Sequence, residues 1–181
     1  MRYEIRFSGS GGQGIITAGI ILAKAVSIEV GKNAVQSQSY GPEARGGASK
    51  AEVIISDDEI NYPKVTNPDM FVALNQESYD KYSDNLKNEA IAIVDASYVR
   101  DYGGKPYKIY PVPLIDEVSA RLGSDISVNI AVLGAVNALG KIISDEAILK
   151  TIAASFPKKA EESNRSAYEI GKSLAEAAER G

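Results

Sequence analysis

The sequence predicts a single α/β domain over residues 1–181, with three αβα layers and a largely parallel or mixed sheet. Short β-rich runs alternate with helical patterns, as in folds that pack helices on both faces of a sheet. Two of these runs, 71–74 and 91–94, are almost entirely apolar, which is typical of strands covered on both faces. The last third of the chain carries helical patterns only.

The chain is predicted to start with a strand at residues 3–7, where apolar and polar side chains alternate. A glycine cluster from Gly9 to Gly14 follows. The next segment, 15–30, is apolar nearly all round and ends before Gly31, which predicts a buried helix with a glycine stop. The order strand, glycines, helix predicts a Rossmann-like first βα unit.

The same patterns predict the other elements. Strands are expected at 34–37, 51–56, 70–74, 90–94 and 108–112. The strand at 51–56 is expected to form a hairpin with 59–62 across Asp57-Asp58. Helices are expected at 76–86, 114–122, 128–143, 144–154 and 157–180. The last helix has an apolar stripe, which predicts packing on the core or on a partner: Ala167, Ile170, Leu174 and Ala178.

The composition excludes several kinds of chemistry. The chain has no Cys and no His. It therefore has no thiolate nucleophile, no disulfide, no cysteine-ligated cluster and no imidazole base. We predict no catalytic residue and no metal ligand in this chain. The acidic run 57–59 is interpreted as a solvated turn.

Charge and hydropathy bear on the surroundings of the protein. The net charge of -4 leaves no basic surplus for nucleic acid. The most apolar stretch, 126–143, is interrupted by Asn129, Asn137 and Lys141, which favours a buried helix over a membrane span. The first seven residues alternate in charge, unlike a signal peptide, so a cytoplasmic location is expected.

The glycine cluster is the first candidate site. Its residues fit the pattern G-x-G-x-x-G: Gly9, Ser10, Gly11, Gly12, Gln13 and Gly14. Glycine lets the backbone approach a ligand closely, and free N–H groups at a helix start can bind phosphate. Three interpretations stay open: an anion or nucleotide-like ligand, a tight turn without a ligand, and NAD binding. NAD binding is disfavoured, because Glu29 has the spacing of the ribose-binding acid but lies in the predicted helix, and the second strand ends in uncharged residues.

A second candidate segment runs from Gln38 to Gly47. It combines turn signals, an aromatic ring and an arginine in Gln38, Ser39, Tyr40, Gly41, Pro42, Glu43, Ala44, Arg45, Gly46 and Gly47. Arg45 offers a planar fork for carboxylate or phosphate. An incidental solvated loop is the alternative. Because both segments follow predicted strands, we expect them to share one crevice, joined by Asn75 and Gln76, with Asn75 as a helix N-cap.

These segments resemble a known family. The stretches 9–16, 38–47, Tyr62-Pro63 and 73–76 together resemble the gamma subunit, or gamma domain, of 2-oxoacid:ferredoxin oxidoreductases. The run Gln-Ser-Tyr-Gly-Pro-Glu-Ala-Arg-Gly-Gly is most similar to the 2-oxoglutarate branch. The resemblance is specific over the first 80 residues and looser beyond, where it includes Asn164 and Gly171.

The resemblance implies a multi-subunit enzyme that decarboxylates a 2-oxoacid oxidatively, forms acyl-coenzyme A and passes electrons to ferredoxin. It implies that thiamine diphosphate, Mg²⁺ and iron–sulfur clusters lie on alpha, beta and delta partner subunits. For this chain it implies a part that shapes the site, holds the complex and helps to bind coenzyme A, through Arg45 or the glycine-loop amides. The alternatives are a stand-alone nucleotide- or NAD-binding protein and an assembly protein without a ligand. An isolated copy is expected to self-associate through surfaces meant for partners.

Overall fold

The six strands in the described part of the chain form one mixed sheet in the order β2-β3-β1-β4-β5-β6. The computed structural model describes residues 1–40 and 47–181. The strands are β1 (Arg2–Ser10), β2 (Asn33–Ser39), β3 (Ala48–Ser56), β4 (Met70–Ala73), β5 (Ile91–Asp95) and β6 (Lys108–Val112). β1, β4, β5 and β6 are mutually parallel, and β3 lies antiparallel between β1 and β2. The expected mixed α/β sheet is confirmed.

Within residues 1–40 and 47–181, six α-helices accompany the sheet. They are α1 (Ile15–Ala25), α2 (Gln76–Tyr82), α3 (Leu114–Leu122), α4 (Val128–Gly140), α5 (Asp145–Ser155) and α6 (Glu161–Arg180). α1 continues into a π-helical turn, Val26–Val30, and Gly31 ends it in the left-handed conformation at φ 73°. The predicted helix over 15–30 and its glycine stop are therefore confirmed.

One expected pairing is wrong. Residues 59–62 form no strand, and β3 pairs instead with β1 on one side and β2 on the other. The segment after β3 is held by β1 rather than by a hairpin, because the buried Glu4 carboxylate accepts the N–H groups of Thr66 and Asn67 at 2.9 and 3.0 Å. The chain thereby crosses from β3 to β4 without adding a strand.

The two faces of the sheet differ in their cover. α1, α3, α4, α5 and α6 enclose the main core on one face, and a smaller core around Phe71 and Tyr79 lies beneath α2 on the other. On the α2 side β1 carries buried polar residues, among them Arg6. Arg6 Nε lies 2.7 Å from Glu52 Oε1, and Arg6 Nη1 donates to the carbonyls of Tyr82 and Asp84. This group ties the centre of the sheet to the end of α2.

α4 and α6 pack most closely among the helices. Gly134 in α4 faces the Tyr168 carbonyl in α6, and Gly171 in α6 faces the Ala131 carbonyl in α4. A Cβ atom at either glycine would overlap backbone atoms of the facing helix. The two small residues therefore set the distance between the helices, and that distance positions the first turn of α4, which borders the site described next.

Candidate functional site

The glycine loop forms a tight turn between β1 and α1. The Ser10 N–H donates to the Gln13 side-chain oxygen at 2.7 Å, and the Gln13 N–H donates back to the Ser10 carbonyl at 3.2 Å. The Gln13 amide folds back over Gly9, where a Cβ atom would lie 2.5 Å from its oxygen. A side chain at position 9 would therefore displace the Gln13 amide, which closes the turn through its hydrogen bond to the Ser10 N–H.

Gly14 joins the loop to α1 and to α4. Its φ of 75° is left-handed, and a Cβ atom there would lie 2.7 Å from the Asn129 side-chain nitrogen. Asn129 is the second residue of α4. The N-termini of α1 and α4 therefore lie side by side, and neither N-cap residue, Gly14 or Ser127, makes a side-chain capping hydrogen bond to the described chain.

A cleft of about 310 Å³ opens where these two helix starts meet. Its walls come from the glycine loop, the α3–α4 connection and the start of α3: Gly12, Gln13, Ile115, Ser124, Asp125, Ile126 and Val128. Gly11 and Gly12 are exposed, and within residues 1–40 and 47–181 their N–H groups donate to no acceptor. The first N–H groups of α4 are largely taken, because Val128 donates to the Asp125 carbonyl and Ile130 to the Ser127 carbonyl. The positive ends of the two helices and the free amides of Gly11 and Gly12 together favour an anion.

The charge in the cleft is less favourable to an anion. Asp125 is the one ionisable residue in the described lining, and no described Lys or Arg lines it. Backbone amides, the Ser124 hydroxyl and the Gln13 side-chain amide nitrogen are therefore the donors that the described cleft offers. A ligand phosphate would need a cation from elsewhere, and Arg45 lies outside the described residues.

Asn75 connects the glycine loop to β4 and α2. Its side-chain nitrogen donates to Ser10 Oγ at 2.7 Å, and its oxygen accepts the Ser78 N–H at 2.8 Å as the N-cap of α2. The predicted cap is confirmed, and Asn75 also reaches the loop as expected. Gln76 points away: its amide binds the backbone of Arg100 and Asp101 and the Asp80 side chain.

The described ends of the 38–47 segment lie at the end of the sheet where the glycine loop leaves β1. Ala48, next to Gly47, pairs with Ser10, and Ser39 pairs with Lys50 of β3. Gln38 donates to the exposed Tyr40 hydroxyl at 3.4 Å. The rest of the predicted segment lies outside the described residues: Gly41, Pro42, Glu43, Ala44, Arg45 and Gly46.

A buried carboxyl group supports the far wall of the cleft. Asp95, at the carboxyl end of β5, accepts the Ile115 N–H at 2.9 Å and the Ser97 N–H at 3.0 Å. Burial raises the pKa of Asp95, although these hydrogen bonds oppose the rise. Because Ile115 lines the cleft, Asp95 positions the wall rather than facing a ligand.

The sequence did not indicate the α3–α4 wall of the cleft. Residues 123–127 connect two predicted helices, and no local pattern predicts that this connection lies against the glycine loop. Beneath this wall, the Ser127 hydroxyl donates to the Asn164 side-chain oxygen at 3.3 Å. Asn164 is buried, and its side-chain nitrogen has no hydrogen-bond partner among the described residues.

Other candidate sites find no support. The Glu29 carboxylate pairs with Lys150 at 2.7 Å in the π-helical turn, so it is not placed to hold a ribose. In the described ranges, no group of three acidic, His or Cys side chains is arranged to hold a metal ion. Among the described helices, none combines the length and apolarity that a membrane crossing requires.

Comparisons with known proteins identify the family. Residues 4–174 match the family described as pyruvate ferredoxin/flavodoxin oxidoreductase. The chain is 47% identical to the 2-oxoglutarate synthase subunit KorC of Methanocaldococcus jannaschii, over 96% of each chain. It is similar to the solved gamma subunit of a keto/oxoacid ferredoxin oxidoreductase from Geobacter sulfurreducens, with a TM-score of 0.91, 46% identity and 98% of each chain covered.

A third relative is a longer protein. The solved 2-oxoglutarate:ferredoxin oxidoreductase of Magnetococcus marinus, described with 2-oxoglutarate, coenzyme A and succinyl-CoA bound, matches with a TM-score of 0.87 and 27% identity. The match covers 97% of this chain and 31% of that chain. The chain therefore belongs to the pyruvate ferredoxin/flavodoxin oxidoreductase family and, within it, to the gamma subunits of 2-oxoacid:ferredoxin oxidoreductases.

Proposed function

We propose that this chain is the gamma subunit of a 2-oxoglutarate:ferredoxin oxidoreductase, in which it binds phosphate groups of coenzyme A and joins the catalytic subunits. The assembled enzyme would convert the 2-oxoacid and coenzyme A to acyl-coenzyme A and CO₂, with electrons passing to ferredoxin. The 47% identity to a 2-oxoglutarate synthase subunit supports the choice of substrate.

The convergence of two helix N-termini on one cleft is the observation that supports coenzyme A binding. The Gly11 and Gly12 N–H groups point at no acceptor of the described chain, so they are available to phosphate oxygens. In this proposal Arg45 supplies the positive charge that the described lining lacks. One charged hydrogen bond of this kind contributes about 1.5–3 kcal/mol, which is roughly ten- to a hundredfold in affinity.

The second part of the proposal concerns assembly. Tyr40 is 66% exposed where the 38–47 segment leaves β2. A large aromatic ring with a polar tip is typical of an interface residue. We assign this segment to contact with the catalytic subunits, where it would close the reaction site against water and oxygen. Thiamine diphosphate, Mg²⁺ and the iron–sulfur clusters are assigned to the alpha, beta and delta partners.

The coenzyme A role is tested by Arg45→Ala in the assembled enzyme. We expect the KM for coenzyme A to rise about ten- to a hundredfold, while the KM for 2-oxoglutarate changes little. Arg180→Ala, at the exposed end of α6, is the matched control. An unchanged KM for coenzyme A in a fully assembled Arg45→Ala complex contradicts this role. Titration of the isolated chain separates the alternative, because tight NAD binding would favour a stand-alone nucleotide-binding protein.

The assembly role is tested by Tyr40→Ser, with Tyr98→Ser as a matched control, since both rings are about half or more exposed. We expect Tyr40→Ser, and more strongly a shortened 41–46 segment, to release this chain from the complex during size-exclusion chromatography. Full retention of both variants would count against the role. The two readouts are independent. An unchanged KM for coenzyme A in Arg45→Ala contradicts the coenzyme A role, and full retention of the Tyr40→Ser and shortened chains contradicts the assembly role.

A further inference from the structure

The two edges of the sheet are protected differently. The β6 edge carries an exposed Lys108 and an exposed Pro111, two residues that prevent strand pairing at an open edge. The β2 edge has the sequence Asn-Ala-Val-Gln-Ser-Gln-Ser, with no charge and no proline. Among the described strands, none pairs with β2 on the side away from β3. An unprotected edge of seven residues is a template for another strand.

Apolar side chains border this edge. α1 passes over β2 and β3 at Gly19, where a Cβ atom would lie 3.5 Å from the Gln36 side chain and 3.3 Å from Ala51. The next residue, Ile20, is 37% exposed. In the π-helical turn that leads into β2, Ile28 is 72% and Val30 42% exposed. Exposed apolar residues beside an unpaired strand are typical of a surface that another polypeptide covers in the assembled protein.

We infer that β2 pairs with β2 of a second copy of this chain, antiparallel about a two-fold axis at Gln36. The pairing would join two six-stranded sheets into one continuous sheet and cover the apolar border of both copies. This inference is independent of coenzyme A binding.

The strand itself argues for a second copy. An antiparallel edge is self-complementary, because each residue that offers an N–H and C=O meets the same pattern on the two-fold mate. Centred on Gln36, the pairs bring uncharged residues together: Asn33 with Ser39, Ala34 with Gln38, Val35 with Ser37 and Gln36 with itself. No like charges meet at any position. A strand from a different subunit is the competing occupant, and the experiment distinguishes it.

The absence of cysteine makes the pairing directly testable. Opposed residues in an antiparallel pair have Cα atoms about 4.5–5.5 Å apart, within the range for a disulfide. Gln36→Cys should therefore give a covalent dimer of the full chain under mild oxidation, at protein concentrations where Lys108→Cys, on the protected β6 edge, does not. Sedimentation of the wild-type chain should show a dimer.

A second variant tests the same contact without a covalent bond. Gln36→Lys would place two ammonium groups opposite each other and should raise the dimer dissociation constant about tenfold or more, whereas Gln36→Thr should leave it within a few-fold. Circular dichroism confirms that both variants fold. A monomeric wild-type chain at high concentration, a dimer that Gln36→Lys leaves intact, or a Gln36→Cys cross-link to a different subunit in the assembled enzyme would each overturn the inference.

Discussion

Gly171 of α6 lies against the backbone carbonyl of Ala131 in α4, so closely that a Cβ atom at Gly171 would overlap the carbonyl oxygen. At the reciprocal contact, a Cβ atom at Gly134 would likewise overlap the Tyr168 carbonyl oxygen. Neither helix can move away without separating buried side chains on both sides of the contact, since Ala131, Ala135, Ala167 and Tyr168 are all fully buried.

Gly171→Ala should therefore destabilise the protein strongly. Because backbone atoms cannot move aside as a flexible side chain can, we expect a loss of about 3 kcal/mol or more, at the upper end of overpacking costs. Chemical denaturation measures it. Gly19→Ala is the matched control: its Cβ atom would meet side chains at 3.3–3.5 Å, and the gain in helix propensity of about 1 kcal/mol offsets part of that crowding. Equal losses for the two variants would contradict the expected role of the Gly171 contact.

The Arg6–Glu52 ion pair is the second sensitive contact. Both residues are 8% exposed, and Arg6 also binds two carbonyl groups at the end of α2. Arg6→Met would leave Glu52 with Lys50 as its partner, at 2.9 Å, and would leave the two carbonyls without their donor. We expect a loss of about 3–5 kcal/mol in the free energy of unfolding. The double variant Arg6→Met/Glu52→Met should lose less than Arg6→Met alone; a larger loss would show that the charge left on Glu52 is not the cause.

Asp145 links α5 to the α4–α6 pair and should give a pH-dependent stability. Partial burial raises its pKa, but hydrogen bonds from Lys172, Tyr168 and Asn137 together outweigh burial and lower the pKa below its ordinary value. A lowered folded-state pKa contributes stability above the unfolded pKa, and that stability is lost as the pH falls through the folded pKa.

The free energy of unfolding should therefore decrease as the pH falls from about 5 towards the acidic limit, and the slope should be smaller in Asp145→Asn. Denaturation at a series of pH values measures both slopes. Glu179→Gln, near the exposed end of α6, controls for the loss of a carboxyl group. An identical slope in wild type and Asp145→Asn would show that the hydrogen bonds to Asp145 do not set it.

Asp125 should oppose the binding of an anionic ligand in the cleft. It is the one ionisable group of the described lining, and removing its charge leaves the helix N-termini and amides in place. Asp125→Asn should lower the KM for coenzyme A several-fold, since a unit charge a few ångström away near a protein surface changes the free energy by about 1 kcal/mol or more. Asp101→Asn, at an exposed residue that does not line the cleft, should leave the KM unchanged. A higher KM for Asp125→Asn would mean that the carboxylate accepts a hydrogen bond from the ligand.

Asn75 should affect both stability and the glycine loop. Asn75→Ala removes the N-cap of α2 and the hydrogen bond to Ser10, and should cost about 1–2 kcal/mol. Asn75→Ser keeps a capping oxygen but is too short to reach Ser10, so it should recover most of the stability. If Asn75 positions the loop, both variants should raise the KM for coenzyme A, whereas a purely capping role would leave Asn75→Ser like wild type.

The order of elements was predictable because hydrophobic periodicity reports local structure. The strands at 70–74 and 90–94 and the helix at 114–122 lie where apolar runs and periodic faces indicate. The hairpin at 59–62 was wrong because the partner of β3 is set by tertiary packing: β1 and β2 occupy both of its edges. The helix predicted over 76–86 ends at Tyr82, where the chain turns so that Arg6 can bind the Tyr82 carbonyl.

The candidate site was predictable in part for the same reason. Gly9 and Ser10 end β1, and Gly11 to Gly14 and Asn75 follow β1 and β4. Their meeting at the carboxyl ends of these parallel strands therefore follows from strand direction. The opposite wall, with Ser124 and Asp125, depends on how α3 and α4 fold back across the sheet, and no local pattern encodes that path. That the glycine loop takes a ligand stays a prediction.

The antiparallel β3 has a consequence for how this family can diversify. Ser39 and Lys50 are held opposite each other by the ladder between β2 and β3, so the chain between them leaves and re-enters the sheet at a fixed gap. Lengthening such a connection costs little, about 0.6 kcal/mol for each doubling of its length. A segment of different length can therefore join the same two strands while the ladder between β2 and β3 keeps its register.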